Sequence, residues 1–167
     1  LANMLHYSNK KGDTMERIAS FTVNHNVLKK GMYTSRIDDD IVTYDIRMAR
    51  PNSDEYLEND AIHTFEHLFA TYARNTEQAD QVIYIGPMGC RTGFYLLVRD
   101  TITPTMAIKL VKNSCEFIAK YTGEIPGSTP KECGNAAEHN LEKAKALGQM
   151  MKEVLANWSV PQLVYPD

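Results

Sequence analysis

Apolar residues recur along this chain with two different periods, and the changes between them mark its elements. From residue 59 to about 74, Ile62, Phe65, Leu68, Phe69 and Tyr72 fall three or four apart, the spacing of a helix with one buried face. Asn59-Asp60 supplies the capping signal for that helix. Leu141, Ala144, Leu147, Met151, Leu155 and Trp158 repeat the pattern and predict a last long helix over about 136–158. Between them, Thr103-Pro104 reads as an N-cap and first helical residue, opening a helix that ends near Gly123. Five runs suit strands: 18–23, 31–37, 41–49, 81–85 and 91–99. Asp38-Asp39-Asp40 divides the second run from the third as a hairpin turn, and Gly86-Pro87-Met88-Gly89-Cys90 joins the last two. The order β-β-β-α-β-β-α-α, with strands mostly in hairpins, predicts an α+β domain: an antiparallel β-sheet with helices packed on it.

Length and charge narrow the function. A chain of 167 residues makes one domain, spanning 1–167, and buries roughly two-thirds of the surface its unfolded form exposes, so the core needs no disulfide staples. Residues 1–16 are polar, contain Lys10-Lys11-Gly12-Asp13, and read as a flexible N-terminal arm. No repeat or low-complexity tract interrupts the rest. A formal net charge of −3 carries no basic excess, which argues against a nucleic-acid partner. No apolar segment resembles a secretory signal or approaches the ~20 residues of a membrane span, so a cytoplasmic protein with no membrane partner is expected. Three cysteines, an odd count, then favour thiols, metal ligation or catalysis over disulfides.

The candidate chemistry centres on an H-x-x-E-H helix. His63 and His67 lie four apart on one face and can present ring nitrogens to one ion, while Glu66 is placed to handle protons beside a metal-bound ligand. All three lie largely outside the apolar stripe, so packing does not account for them. Cys133 follows the Gly/Pro-rich loop 124–130 and precedes the predicted last helix by two or three residues, where the helix dipole favours a thiolate. Two imidazoles and a thiolate leave a tetrahedral divalent ion one open position, the usual arrangement of a catalytic centre. Cys115, among Val111, Phe117 and Ile118, reads as a core residue. Cys90 closes a glycine-containing turn that can hold a thiol at the rim of a sheet, although an incidental cysteine fits the same turn. His6 and His139 read as surface residues. The rival readings are a zinc metallopeptidase of the H-x-x-E-H type, whose sites normally complete the metal with a carboxylate, and a structural metal-binding module closed by a fourth protein ligand.

Several further runs then join the pattern. Ser20-Phe21 with His25, Asp45-Ile46-Arg47, His63-Thr64-Phe65-Glu66-His67-Leu68, Pro87-Met88-Gly89-Cys90-Arg91-Thr92-Gly93 and Cys133-Gly134 resemble, in order and spacing, the S-ribosylhomocysteine lyase (LuxS) family. These are bacterial enzymes that make the precursor of a quorum-sensing autoinducer. The resemblance runs from about residue 20 to the last helix. It implies the LuxS/MPP-like metalloenzyme fold. It also implies metal ligation by His63, His67 and Cys133, with ferrous iron as the native ion and zinc or cobalt as substitutes. Cys90 and Glu66 become the acid/base groups, and Ser20, His25 and Arg47 contact the ribosyl part or support the reacting groups. The implied reaction converts S-ribosylhomocysteine to homocysteine and 4,5-dihydroxy-2,3-pentanedione by carbonyl migration through enediolates and β-elimination, within the activated methyl cycle. The implied assembly is a homodimer with active sites at the subunit interface, Ser20 and His25 coming from the neighbouring chain. Two departures stand out: Tyr84-Ile85-Gly86 where many members read Asp-Ile-Ser, and Asn24 where an Asp is common.

Overall fold

The computed structural model of the chain describes residues 6–8, 12 and 14–167. Strands β1 (His6–Ser8) and β2 (Thr14–Glu16) pair antiparallel as a small ladder within the stretch read as an arm, of which residues 1–5, 9–11 and 13 lie outside those described. The main sheet contains β3 (Gly31–Asp38), β4 (Ile41–Arg47), β5 (Val82–Pro87) and β6 (Gly93–Arg99). Its order is β3-β4-β6-β5 and every pairing is antiparallel. The pairing of Asp38 with Ile41 leaves Asp39 and Asp40 as the turn, and Asp39 takes a φ of 51°, a left-handed conformation that a short acidic side chain tolerates.

Helix α1 (Asn59–Ala73) buries Ile62, Phe65, Leu68 and Phe69, the stripe read from the sequence, with Tyr72 packed at its margin. Opposite them, Met32, Val42, Tyr44, Ile46, Phe94, Leu96 and Val98 alternate along their strands and form the helix-covered face of the sheet. Helix α2 (Pro104–Lys120) starts as predicted, with the Thr103 hydroxyl accepting the Met106 N–H at 3.3 Å. It packs against α3 (Leu141–Val154) at Gly148, where an added Cβ would lie 2.8 Å from the Cys115 carbonyl oxygen. The α+β architecture is therefore the expected one: an antiparallel sheet with helices packed on one face.

Two predicted elements differ. Residues 18–23 do not join the sheet; Ala19–Phe21 form a 3-10 turn closed by the Phe21 N–H to Ile18 O and Thr22 N–H to Ala19 O bonds. Ile18 and Phe21 stay exposed, so no core contact enforces the extended form. The last helix begins at Leu141 rather than near 136, because Asn140 caps it by accepting the Lys143 N–H at 3.0 Å. Residues 133–140 thus remain non-helical and free to contact α1.

Candidate metal centre and catalytic cavity

Helix periodicity brings His63 and His67 together: their rings meet edge to face with centroids 4.6 Å apart. Each ring is keyed through Nδ1. His63 Nδ1–H donates to the Glu138 carbonyl at 2.7 Å and His67 Nδ1–H to the Pro126 carbonyl at 2.8 Å. With the proton on Nδ1, both Nε2 atoms keep a free lone pair, the form in which imidazole binds a metal. Cys133 Sγ lies 3.3 Å from His63 Nε2. One ligand atom each from His63, His67, Cys133 and His139 falls within 4.8 Å of the others, close enough to surround one ion. The expected ligands are thus assembled, and their locked tautomers fit a divalent cation.

Cys133 does not stand at a helix N-terminus as expected. Eight positions separate it from the first residue of α3, and its N–H bonds to the Thr129 carbonyl at 2.9 Å within a turn. The Asn135 N–H instead points to its sulfur at 3.4 Å.

His139 is the residue that sequence reasoning misplaced, for it is no surface histidine. Its ring stacks on His63 with centroids 4.0 Å apart. The Thr64 hydroxyl, fully buried, accepts the Asn140 N–H at 2.9 Å and lies 3.0 Å from His139 Nδ1. The hydroxyl keeps one proton and one further lone pair, so it can serve His139 Nδ1 as donor or acceptor. His139 Nε2 is buried without a hydrogen-bond partner among the described residues and belongs to the group of atoms able to surround an ion. Burial first, then the charges of His63 and His67, hold His139 below the usual imidazole range, which keeps it neutral near pH 7. The only sequence signal was its position, one residue before the Asn140 cap.

A second set lies on the other side of the sheet. Ser20, His25, Arg47 and Cys90 line one cavity of about 340 Å³ with Phe21, Met88 and Tyr95. His25 Nδ1–H bonds to the Val23 carbonyl at 2.9 Å, leaving Nε2 as an acceptor. Cys90 is exposed, at the end of the turn that follows β5. Arg47 is almost completely buried, and Asp45 grips it through Nε–Oδ1 at 3.1 Å and Nη2–Oδ2 at 2.5 Å. Burial disfavours its charge, but Asp45, and beyond it Cys90 and Tyr165, hold the guanidinium more firmly protonated than usual. Arg47 Nη1 donates to Thr92 Oγ1 at 2.6 Å, and that hydroxyl lies 3.0 Å from Cys90 Sγ. Thr92 entered the sequence reading only as a member of the 87–93 run, and Tyr165 not at all. Glu66 is half-buried on α1, between the two histidines in sequence, and belongs to neither set.

The departure at 84–86 has a steric reason. Tyr84 folds over Gly86 so closely that a Cβ there would lie 2.3 Å from the tyrosine oxygen. Tyrosine at 84 in this pose therefore requires glycine at 86. Cys115 is the buried core thiol expected, its pKa pushed up to about 12 by burial.

An antiparallel sheet backed by helices, carrying a histidine–cysteine cluster able to hold a metal ion and a separate exposed thiol beside a buried arginine, defines a small α+β protein with a candidate metal centre. The model of the LuxS S-ribosylhomocysteinase family matches residues 18–161, and the chain belongs to this family. The S-ribosylhomocysteine lyase of Clostridium acetobutylicum is 44% identical over 158 residues, covering 92% of this chain and 100% of the relative. That of Clostridium beijerinckii is 43% identical over 159 residues, with 92% and 100% covered. That of Phocaeicola vulgatus is 41% identical over 158 residues, with 91% and 98% covered.

Proposed function

We propose that this chain is a metal-dependent carbon–sulfur lyase that cleaves the thioether of S-ribosylhomocysteine, releasing homocysteine and 4,5-dihydroxy-2,3-pentanedione, the autoinducer-2 precursor. The observation that carries the reading is a three-ligand centre with both imidazole tautomers set for ligation, in a chain that also exposes Cys90 beside Arg47 and Thr92. The lyase name of relatives covered over nearly their full length supports it.

The chemical difficulty is that the leaving sulfur is not initially β to a carbonyl. Moving the carbonyl along the sugar to its third carbon removes that obstacle, because one further deprotonation then expels homocysteine. A bound divalent cation supplies Lewis acidity for the negative charge that develops on sugar oxygens. Cys90 takes a proton from one sugar carbon and returns it to the next. Arg47 places positive charge in the same cavity, and the Thr92 hydroxyl lies within hydrogen-bond reach of the sulfur. Glu66 carries protons on the side of the ligand helix. Ser20 hydroxyl and His25 Nε2 bind ribosyl hydroxyl groups. Ferrous iron is the proposed ion, as the family resemblance implies, although two imidazoles and a thiolate accept several first-row metals.

We further propose a homodimer in the cytoplasm. Phe21 lines the cavity beside Ser20, Ile18 precedes Ser20 by two positions, and both are more than half exposed, apolar groups suited to a second copy of the chain. Among the described residues no helix is long and apolar enough to cross a membrane.

The test is anaerobic: load the protein with ferrous iron, add S-ribosylhomocysteine, and follow new thiol after subtracting the protein's own cysteines. Metal-dependent release is the expected outcome. A folded, metallated protein that releases none would return the chain to the peptidase and structural-module readings.

A further inference from the structure

The C-terminal tail reaches the catalytic cavity from behind. After α3, Trp158 Nε1–H donates to the Met32 carbonyl at 2.9 Å, and Ser159 and Gln162 form a capping box that starts the 3-10 turn Val160–Leu163. Leu163 enters the core. These contacts carry the chain across the edge strand β3, and Tyr165 comes to rest on Tyr33, rings stacked with centroids 5.1 Å apart. Tyr33 is the cross-strand partner of Asp45. The Tyr165 hydroxyl therefore meets Asp45, and it donates to Oδ2 at 2.7 Å.

From Asp45 an unbroken chain of hydrogen bonds leads to the cysteine. Asp45 accepts from Tyr165 and from two nitrogens of Arg47; Arg47 also donates to Thr92; the Thr92 hydroxyl lies 3.0 Å from Cys90 Sγ. Asp45, Arg47 and Thr92 are each at most 3% exposed, so water cannot replace a missing partner cheaply. Tyr165 lies beyond residues 18–161, the segment that the family model matches.

We propose that Tyr165 is a positioning residue: by completing the hydrogen bonding of Asp45 it holds Arg47 and Thr92 in the orientation that presents Cys90 for proton transfer. This rests on the lyase reading of the cavity. Tyr165→Phe keeps the ring stack on Tyr33 and removes the hydroxyl, which Ser35 also contacts. Asp45 then loses one of its three hydrogen bonds, and the arginine is free to shift.

The experiment uses the full-length, metal-loaded protein and two independent readouts. The first is lyase kinetics; the second is the iodoacetamide alkylation rate of Cys90, resolved from Cys115 and Cys133 by peptide mass spectrometry. Tyr165→Phe lowers kcat and the Cys90 alkylation rate together, each by about tenfold, roughly the effect of one lost hydrogen bond to a charged group. KM and metal content stay within twofold, and circular dichroism matches the unaltered protein. Alkylation and kcat both equal to those of the unaltered protein overturn the proposal, as does a fall in kcat with alkylation unchanged, since that effect bypasses Cys90. If the unaltered protein releases no homocysteine, the lyase reading fails by itself, and the alkylation rate still decides whether Tyr165 sets the state of Cys90.

Discussion

The imidazole of His139 stacks on that of His63, planes 21° from parallel, with its Nε2 buried without a hydrogen-bond partner among the described residues and its Nδ1 beside the Thr64 hydroxyl. We expect His139 to act as an outer partner of the metal site rather than as a fourth ligand. Outer partners of that kind change affinity without abolishing binding. His139→Ala is expected to keep one equivalent of metal and to bind it about tenfold more weakly, read by competition with a chromophoric chelator. Complete loss of metal would make His139 a ligand and close the site.

The ligands and the proton-transfer groups separate by the same assay. His63→Ala, His67→Ala and Cys133→Ala each remove one member of the three-ligand set and are expected to leave the purified protein without stoichiometric metal. Cys90→Ala and Glu66→Gln keep the metal and lose turnover by at least about a hundredfold, the usual contribution of general acid–base catalysis. Full activity in Cys90→Ala would take that residue out of the mechanism.

Alkaline stability reports on Cys115. Its folded pKa, about 12, lies above the 9 of an ordinary thiol, because burial disfavours the thiolate. A raised folded pKa contributes stability that is complete below pH 9 and declines as pH climbs toward 12, since the unfolded chain releases the proton first. The unfolding free energy from urea titration should fall over this range by roughly 1.4 kcal/mol per pH unit more for the unaltered protein than for Cys115→Ala. Parallel curves for the two proteins would show that the thiol contributes nothing to the alkaline limb.

The crossing of α2 and α3 depends on the absence of a side chain at Gly148. An alanine Cβ there would sit 2.8 Å from the Cys115 carbonyl oxygen and 2.9 Å from the Ala119 nitrogen, both backbone atoms that cannot rotate away. Gly148→Ala is expected to cost about 1–3 kcal/mol despite its better helix propensity. A thermal midpoint at or above that of the unaltered protein would show that the helices separate without penalty.

Local order along the chain determined a large part of this protein. The 3.6-residue period placed α1 and its buried stripe, put His63 and His67 on one face, and gave α2 its Thr103 cap, because each depends on residues within a turn of one another. The hairpin at Asp38–Ile41 and the alternation along β4 and β6 were legible for the same reason. The short apolar run at 18–23 carried the same local signal and misled, since no neighbouring strand pairs with it. What surrounds the reacting groups was decided only on folding. His139 meets Thr64 across 75 positions, Arg47 meets Thr92 across 45, and Tyr165 meets Asp45 across 120. Periodicity says nothing of such pairs. They exist because the packed sheet and helices bring distant polar groups into a space without water, where each must find a partner in the chain itself.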